Sequence, residues 1–450
     1  MIAKKGYGIV TNRGYGRCLT SLVRTVVVAI SLALMVPAAS QAAEMRVLTL
    51  DDALAIAKEK NRDIQKAHEY GNSVRGKYVE ERSAALPQLS LNGSATLGKD
   101  ESQQAFYGKA PQQYSRVVDL TLEQPLYTWG KVSAAIRAAE VGLKTADEQL
   151  RLARQAAERD VSVAFYDILL AKELHRLAVQ NHEQKSRHRD EAHRKLAAGV
   201  ATDYDVLAAD VAVENARPEV IRSENQIRVA RERLRFLLAI DDGEVDAAGT
   251  LESRISPPPA YADALGSARS RRPELADLRH RIGIYEELVT IADADNKPRL
   301  DLKGGAGWHH LDVDDTRDDG AAWEIGVYLS FPFFDGLKTS GRVQQARSDL
   351  ATRQIEEKKL LDEISLEVRN AVNSVREAAE IVSALGGTVR QAERLLQMAE
   401  KGYEYGVKIR LEVEDAQLNL LQAQSNLARA RRDYLSAQVN MDWTMGRLGE

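Results

Sequence analysis

Apolar residues follow two rhythms along this chain. In one, Ile364, Val368, Val372, Val375, Ala379, Val382, Leu385 or Gly386, Val389, Ala392 and Leu396 recur by threes and fours, the seam spacing of packed helices. No proline interrupts residues 130–195 or 336–402, so each stretch predicts over 60 residues of helix, roughly 95 Å at 1.5 Å per residue. In the other rhythm apolar and polar residues alternate. Leu89, Leu91, Ala95 and Leu97 interleave with Ser90, Asn92, Ser94 and Thr96, and Val118, Leu120 and Leu122 with Asp119, Thr121 and Glu123. Leu300 and Leu302 interleave with Asp301 and Lys303, and Trp323, Ile325, Val327, Leu329 and Phe331 with Glu324, Gly326, Tyr328 and Ser330. Period two predicts strands with one apolar face, in a half-buried soluble sheet or in a membrane barrel.

The order of elements occurs twice. "LDDALAIAKEKNRDI" (50–64) matches "YADALGSARSRRPEL" (261–275), and "LPQLSLNGSATLG" (86–98) matches "KPRLDLKGGAGWH" (297–309), both at an offset of 211. "EQPLYTWGK" (123–131) matches "SFPFFDGLK" (330–338) at an offset of 207, which Gly199 over Gly406 retains. The ordered set implies two copies of a helix, strand, strand, long helix, break, helix unit. Thr49 with Asp52 resembles a capping box at the first helix start. Pro87 and Pro298 stop the opening helices, since proline lacks the N–H and clashes with the preceding turn. The expected division is a leader (1–42), a first repeat (43–254), a proline-rich linker (255–260) and a second repeat (261–450). The first repeat carries strands near 87–98 and 115–126 and a helical hairpin near 130–240. In the second, strands fall near 298–310 and 321–333 and the hairpin near 336–448.

The leader reading comes from Lys4, Lys5, Arg13, Arg17 and Arg24, then the apolar run "TVVVAISLALMVPAA" (25–39), then small residues that place cleavage after Ala42. Without these five basic residues the formal net charge falls from −4 to −9. The lone cysteine, Cys18, precedes the apolar run, so neither lipidation nor a disulfide is expected in the exported chain. Charged residues make up 28% and aromatics 6%, a balance that favours long helices over an aromatic core.

Four strands set a constraint. A sheet spanning a membrane has no open edge, because unpaired backbone in hydrocarbon costs several kcal/mol per group, and closed membrane barrels use about eight strands or more. If these strands cross a membrane, several chains share one barrel.

No phosphate-binding glycine loop and no set of nucleophile, base and orienter is present, so no enzyme, cofactor or nucleic-acid partner is expected. His182, His188 and His193 lack ligand spacing along a helix. "HHLDVDDTRDDG" (309–320) lacks the ligand order of a Ca²⁺ loop and reads as a solvated hairpin loop.

The leader, the duplicated hairpins and the motifs "LTLDDALAIAKEKNRDI", "LPQLSLNGS", "QPLYTWGK" and "FPFFDGLK" resemble the TolC family of outer-membrane efflux proteins over residues 47–448. The resemblance implies a mainly α fold with a membrane β-barrel, in which a homotrimer forms a 12-stranded barrel continued by a periplasmic α-helical tunnel. It also implies a periplasmic adaptor, an inner-membrane ABC or proton-driven transporter, and outer-membrane lipid as partners. Pro87, Pro125, Pro298 and Pro332 would then fall at the barrel–tunnel junction. The two helix breaks become periplasmic tips, with Gly199, Val200, Gly406 and Val407 touching the adaptor. Lys408, Glu412 and Asp415 sit two, six and nine positions after Gly406, as gate residues do in the family, although a glutamate replaces the expected aspartate. Asp205 holds the matching acidic place after the first tip, as a partner for Lys408, and Tyr403 matches a gate position. Glu412 and Asp415, at i and i+3, would aim six carboxylates at a threefold axis. The competing reading from the residues alone is a soluble periplasmic coiled-coil scaffold whose acidic pair is a solvated helix face.

Overall fold

The computed structural model of the protein describes residues 45–99, 101–103, 108, 110, 112–252, 254–313 and 316–449. The leader, with Cys18 and the expected cleavage after Ala42, lies outside the described residues. The first repeat runs β1 (Arg46–Leu48), α1 (Leu50–Lys60), α2 (Arg62–Ser83), β2 (Gln88–Lys99), β3 (Gln112–Tyr127), α3 (Lys131–Ala197), α4 (Asp203–Leu237) and β4 (Val245–Ala247). The second runs α5 (Tyr261–Arg271), α6 (Pro273–Asp293), β5 (Arg299–Val313), β6 (Thr316–Ser330), α7 (Lys338–Glu404) and α8 (Arg410–Thr444). The matching helices have equal lengths: 67 residues in α3 and α7, 35 in α4 and α8, 11 in α1 and α5. At 1.5 Å per residue, α3 and α7 each reach about 100 Å.

Local chemistry fixes the ends of these elements. Thr49 Oγ1 accepts from Asp52 N–H at 3.2 Å, and Asp52 accepts from Thr49 N–H at 3.1 Å, completing the capping box of α1. Each long helix follows two residues with positive φ, Trp129–Gly130 in the first repeat and Gly336–Leu337 in the second. The turn is the same and glycine has changed places within it, so each copy holds one non-glycine residue in a costly conformation.

Two cores hold the helices together. Val161, Phe165 and Ile168 of α3 pack with Leu234 of α4, with Val245 and Ala247 of β4, and with Ala428 and Leu435 of α8. Ile364, Val368, Val372 and Val375 of α7 pack with Ala264 and Ala268 of α5, Leu275 of α6, and Tyr434 and Met441 of α8. The predicted seam of α7 is therefore buried at its upper end and again at Ala392, while Leu385, Gly386 and Val389 between them stay partly exposed.

The four long strands form one antiparallel sheet in the order β2-β3-β5-β6. The hairpin between β5 and β6 is tighter than the sequence suggested. Residues 309–313 and 316–320, expected in an acidic loop, are strand, with Val313 opposite Thr316. Backbone pairing won over local acidity because every residue from Arg299 to Val313 finds a cross-strand partner on β6. Pro125 lies inside β3, at a register shift between Pro125 and Tyr127, where a bulge tolerates the missing N–H. Pro87 and Pro298 immediately precede β2 and β5, and Pro332 follows β6. A separate two-stranded parallel pair, β1 with β4, ties the start of the first repeat to its end. No helix among the described residues is long and apolar enough to cross a membrane.

Candidate functional site

The sheet register sorts its side chains into two faces. Leu91 lies opposite Leu120, Val118 opposite Trp308, Ala306 opposite Trp323, and Leu302 opposite Val327. This face is apolar across all four strands and open to the surroundings, with Leu91 74% and Trp323 79% exposed. The other face carries Asn92, Thr121, Asp119, Glu123, Lys303, His309 and Glu324. Lys303 pairs with Glu123 at 3.1 Å, and His309 Nε2 lies 2.8 Å from Asp119. Gly307 leaves the room for this: a Cβ there would sit 2.0 Å from Asp119 Oδ1. A sheet apolar on one face and hydrogen-bonded and charged on the other has the pattern of a wall between lipid and water. Among the described residues, the edge strands β2 and β6 each pair on one side only. Beneath the sheet, Pro125, Pro298 and Pro332 line a cavity of about 670 Å³ with Lys131, Asp295 and Arg299. Asp295 accepts from Lys131 and from Arg342, both at 2.6 Å, joining α3 and α7 where they leave the sheet.

The far ends of the long helices form two tips. Each helix ends with its first residue beyond the cap in the left-handed region, Gly199 at φ 75° and Gly406 at φ 74°. Val200 N–H donates to Lys195 O at 2.9 Å, and Val407 N–H to Gly402 O at 2.8 Å. These are the long bonds of two Schellman caps. Val200 and Val407 stand at the turns 73% and 79% exposed.

The acidic residues beyond the breaks have a local task. Asp205 is the third residue of α4, and its carboxylate accepts from Thr202 N–H at 2.8 Å and Thr202 Oγ1 at 2.7 Å. Glu412, the third residue of α8, accepts from Ile409 N–H at 3.1 Å in the same way. Carboxylates here satisfy orphan donors and face the positive end of the helix dipole. The bonds from Thr202 hold the Asp205 carboxyl below its ordinary range. Lys408, then the Ile409 N–H, does so for Glu412.

The expected Lys408–Asp205 pair is not formed within the chain. Lys408 Nζ pairs with Glu412, one turn along its own helix start. Its stem crosses Gly402, where a Cβ would lie 2.4 Å from Lys408 Cγ. Four residues suffice for that ion pair, and Asp205 is already occupied by Thr202. Asp415 is exposed on α8, while its neighbours Val413 and Ala416 face inward. Tyr403 does reach the first hairpin, by a route that sequence reasoning missed: Lys195 Nζ donates to Tyr403 Oη at 3.0 Å and lies 5.1 Å from the ring centroid.

Comparison with known proteins decides the wider setting. The family described as "Outer membrane efflux protein" matches residues 53–239 and 264–447. The chain belongs to the outer membrane efflux protein family. Among relatives, alkaline protease secretion protein AprF of Pseudomonas aeruginosa is 27% identical over 90% of this chain and 85% of its own. Cobalt-zinc-cadmium resistance protein CzcC of Cupriavidus metallidurans is 26% identical over 89% of this chain and 90% of its own. The crystal structure of the Campylobacter jejuni CmeC outer membrane channel superposes with a TM-score of 0.77 at 17% identity, covering 88% of this chain and 85% of that one. As a member of this family the protein resides in the outer membrane and serves as an exit duct. The reading as a soluble scaffold falls.

Proposed function

We propose that three copies close one barrel. β6 of each protomer pairs with β2 of the next, giving 12 strands, and the six long helices of α3 and α7 with their shorter partners continue it as a 12-helix tunnel. The strands of one chain alternate in direction through β2, β3, β5 and β6, so this junction is itself antiparallel. The observation that carries the reading is a four-stranded sheet with an exposed apolar face and two unpaired edges, which hydrocarbon forbids in a single chain. Pro87, Pro125, Pro298 and Pro332 mark the passage from barrel to tunnel. The two structural repeats, 43–254 and 261–450, follow a cleaved, unlipidated leader and are joined by 255–260.

In this reading substrate passes from an inner-membrane transporter, an ABC exporter or a proton-driven pump, through a periplasmic adaptor that docks on Gly199, Val200, Gly406 and Val407. The two relatives are named for different cargo, one for protease secretion and one for cobalt-zinc-cadmium resistance. Lys408, Glu412, Asp415, Asp205 and Tyr403 form the periplasmic gate. Three protomers place three exposed Asp415 carboxylates and three Lys408-paired Glu412 carboxylates around one axis, where like charges favour cation binding. Purified protein in planar bilayers tests this. Glu412→Ala with Asp415→Ala is expected to abolish block by multivalent cations and lower cation selectivity. Wild-type block in that variant would place both residues on a solvated outer face.

A further inference from the structure

The apolar face of the sheet ends abruptly at the edge far from the helices. From Phe331 along β6 every second residue is apolar: Phe331, Leu329, Val327, Ile325, Trp323 and Ala321. These ten steps of chain cover about 34 Å along a strand. At the tilt of a membrane barrel that is about 25 Å of height, the thickness of its apolar band. The next residues on this face of β6 are Asp319 and Arg317. β5 and β3 change character at the same place in the register. Trp308 gives way to His310 and Asp312 on β5, and Val118 gives way to Arg116 and Tyr114 on β3. Arg116 lies opposite His310, and His310 opposite Asp319.

Arg116 is exposed, and a neighbour two residues away orients it. Its guanidinium carbon lies 4.5 Å from the Tyr114 ring centroid, and its Nε donates to Tyr114 Oη. Among the described residues these are its polar and ring contacts, whereas Arg317 on the same face is taken by Asp312 at 3.4 Å. β3 is an inner strand, with β2 on one side and β5 on the other. A strand of a neighbouring chain therefore does not reach Arg116 when the barrel closes at β2 and β6. What meets an outward residue on an inner strand of a barrel is lipid.

We propose that Arg116, stacked on Tyr114 and flanked by His310, binds the headgroup phosphate of a glycolipid in the outer leaflet. The inference rests on the sheet being a wall of the shared barrel with its helices on the periplasmic side. Depth is one argument: the first outward residue beyond the apolar band stands at headgroup level, where phosphate is an abundant anion. Chemistry is the other. A guanidinium meets a phosphate with two parallel N–H···O bonds, which a lysine ammonium does not match. Tyr114 is the positioning residue, because it occupies Nε and one face of the fork and leaves the terminal nitrogens to an acceptor outside the sheet. Asp319 stands two strands away, about 10 Å, on the far side of His310, so its charge directs an anion toward β3 rather than β6.

Lipid retention by the full-length protein in mild detergent, read by native mass spectrometry, tests the site. The probes are a diphosphorylated glucosamine-disaccharide lipid and the same lipid with both phosphates removed. The wild type is expected to hold the phosphorylated form more tightly. Arg116→Gln should weaken that form about fivefold, the contribution of one basic side chain at an anionic lipid surface, and leave the dephosphorylated form unchanged. Tyr114→Phe keeps the ring and removes the acceptor of Nε, and should weaken the phosphorylated form alone, by a smaller factor. Lys303→Gln removes a cation from the opposite face of the sheet and should change neither. Inorganic phosphate in large excess should not displace the lipid, whose acyl chains lie on the apolar band; displacement would make this a site for free phosphate and overturn the proposal. Equal retention of both lipids by the wild type, or equal losses in Arg116→Gln and Lys303→Gln, overturns the site and leaves the barrel standing. Retention of neither lipid by the wild type overturns the site together with the lipid-facing wall on which it rests.

Discussion

Replacing Gly199 and Gly406 by valine isolates the role of the tips. Both glycines hold positive φ, 75° and 74°, and a Cβ built at either meets no heavy atom within 4 Å. The added Cβ therefore meets nothing, and the cost reckoned here is that of the backbone. A left-handed L-residue costs roughly 1–2 kcal/mol, with a β-branched side chain toward the upper end. If valine leaves that region, the bonds from Val200 to Lys195 and from Val407 to Gly402 are lost instead, at about 0.5–1.5 kcal/mol each. The first route raises local opening of each tip by a factor of about 5–30, the second by about 2–13. Alanine is expected to fall below valine. Hydrogen exchange of residues 195–203 and 402–410 should accelerate by that factor, while residues 364–375, in the buried core of α7, keep their protection. Adaptor-dependent export should fall, with oligomer assembly unchanged. Unaltered exchange at the tips would refute the claim that left-handed glycine shapes them, and intact export with accelerated exchange would show that the adaptor reads another surface.

Three further outcomes follow from single residues. Ala239 ends α4 at φ 50° in the place that Gly446 fills after α8, so Ala239→Gly should stabilise the first repeat by about 1 kcal/mol, measured as a raised denaturation midpoint. Ile364 is fully buried in α7, and Ile364→Ala should cost about 2–5 kcal/mol, lowering the midpoint without changing the cation block. His188, packed among Glu191, Lys185, Arg410, Glu414 and Gln417, has its pKa pushed below the ordinary 6.5, by burial first and by Arg410 second. The unfolded tip takes up a proton before the folded one, so the contribution of His188 is complete above about pH 6.5 and declines as pH falls below it. Exchange protection of residues 185–195, corrected for intrinsic rates, should weaken between pH 7.5 and 5.5 in the wild type and less in His188→Gln.

The elements with long-range regularity could be read from the sequence. Proline-free runs and the step of threes and fours located α3 and α7, and alternation located β2, β3, β5 and β6, because both patterns report which face meets a core or a membrane. What depended on spatial pairing could not be read. β1 and β4 are three residues each, too short for any period, and they exist because distant segments meet. The partner of Tyr403 lies 208 residues away on another helix, and nothing in local spacing singles out Lys195. The Asp205 cap was legible in principle. Thr202 and Asp205 repeat the spacing of Thr49 and Asp52, and reading that pattern at the second place would have assigned Asp205 to its own helix before any pairing with Lys408.

The most direct test of the account is the mass of the protein extracted from the outer membrane in mild detergent, measured by native mass spectrometry. A sheet with edges at β2 and β6 and an apolar outer face predicts a complex of three chains that persists on dilution. A stable monomer carrying an intact sheet would contradict the shared barrel, and with it the duct that the tips are proposed to close.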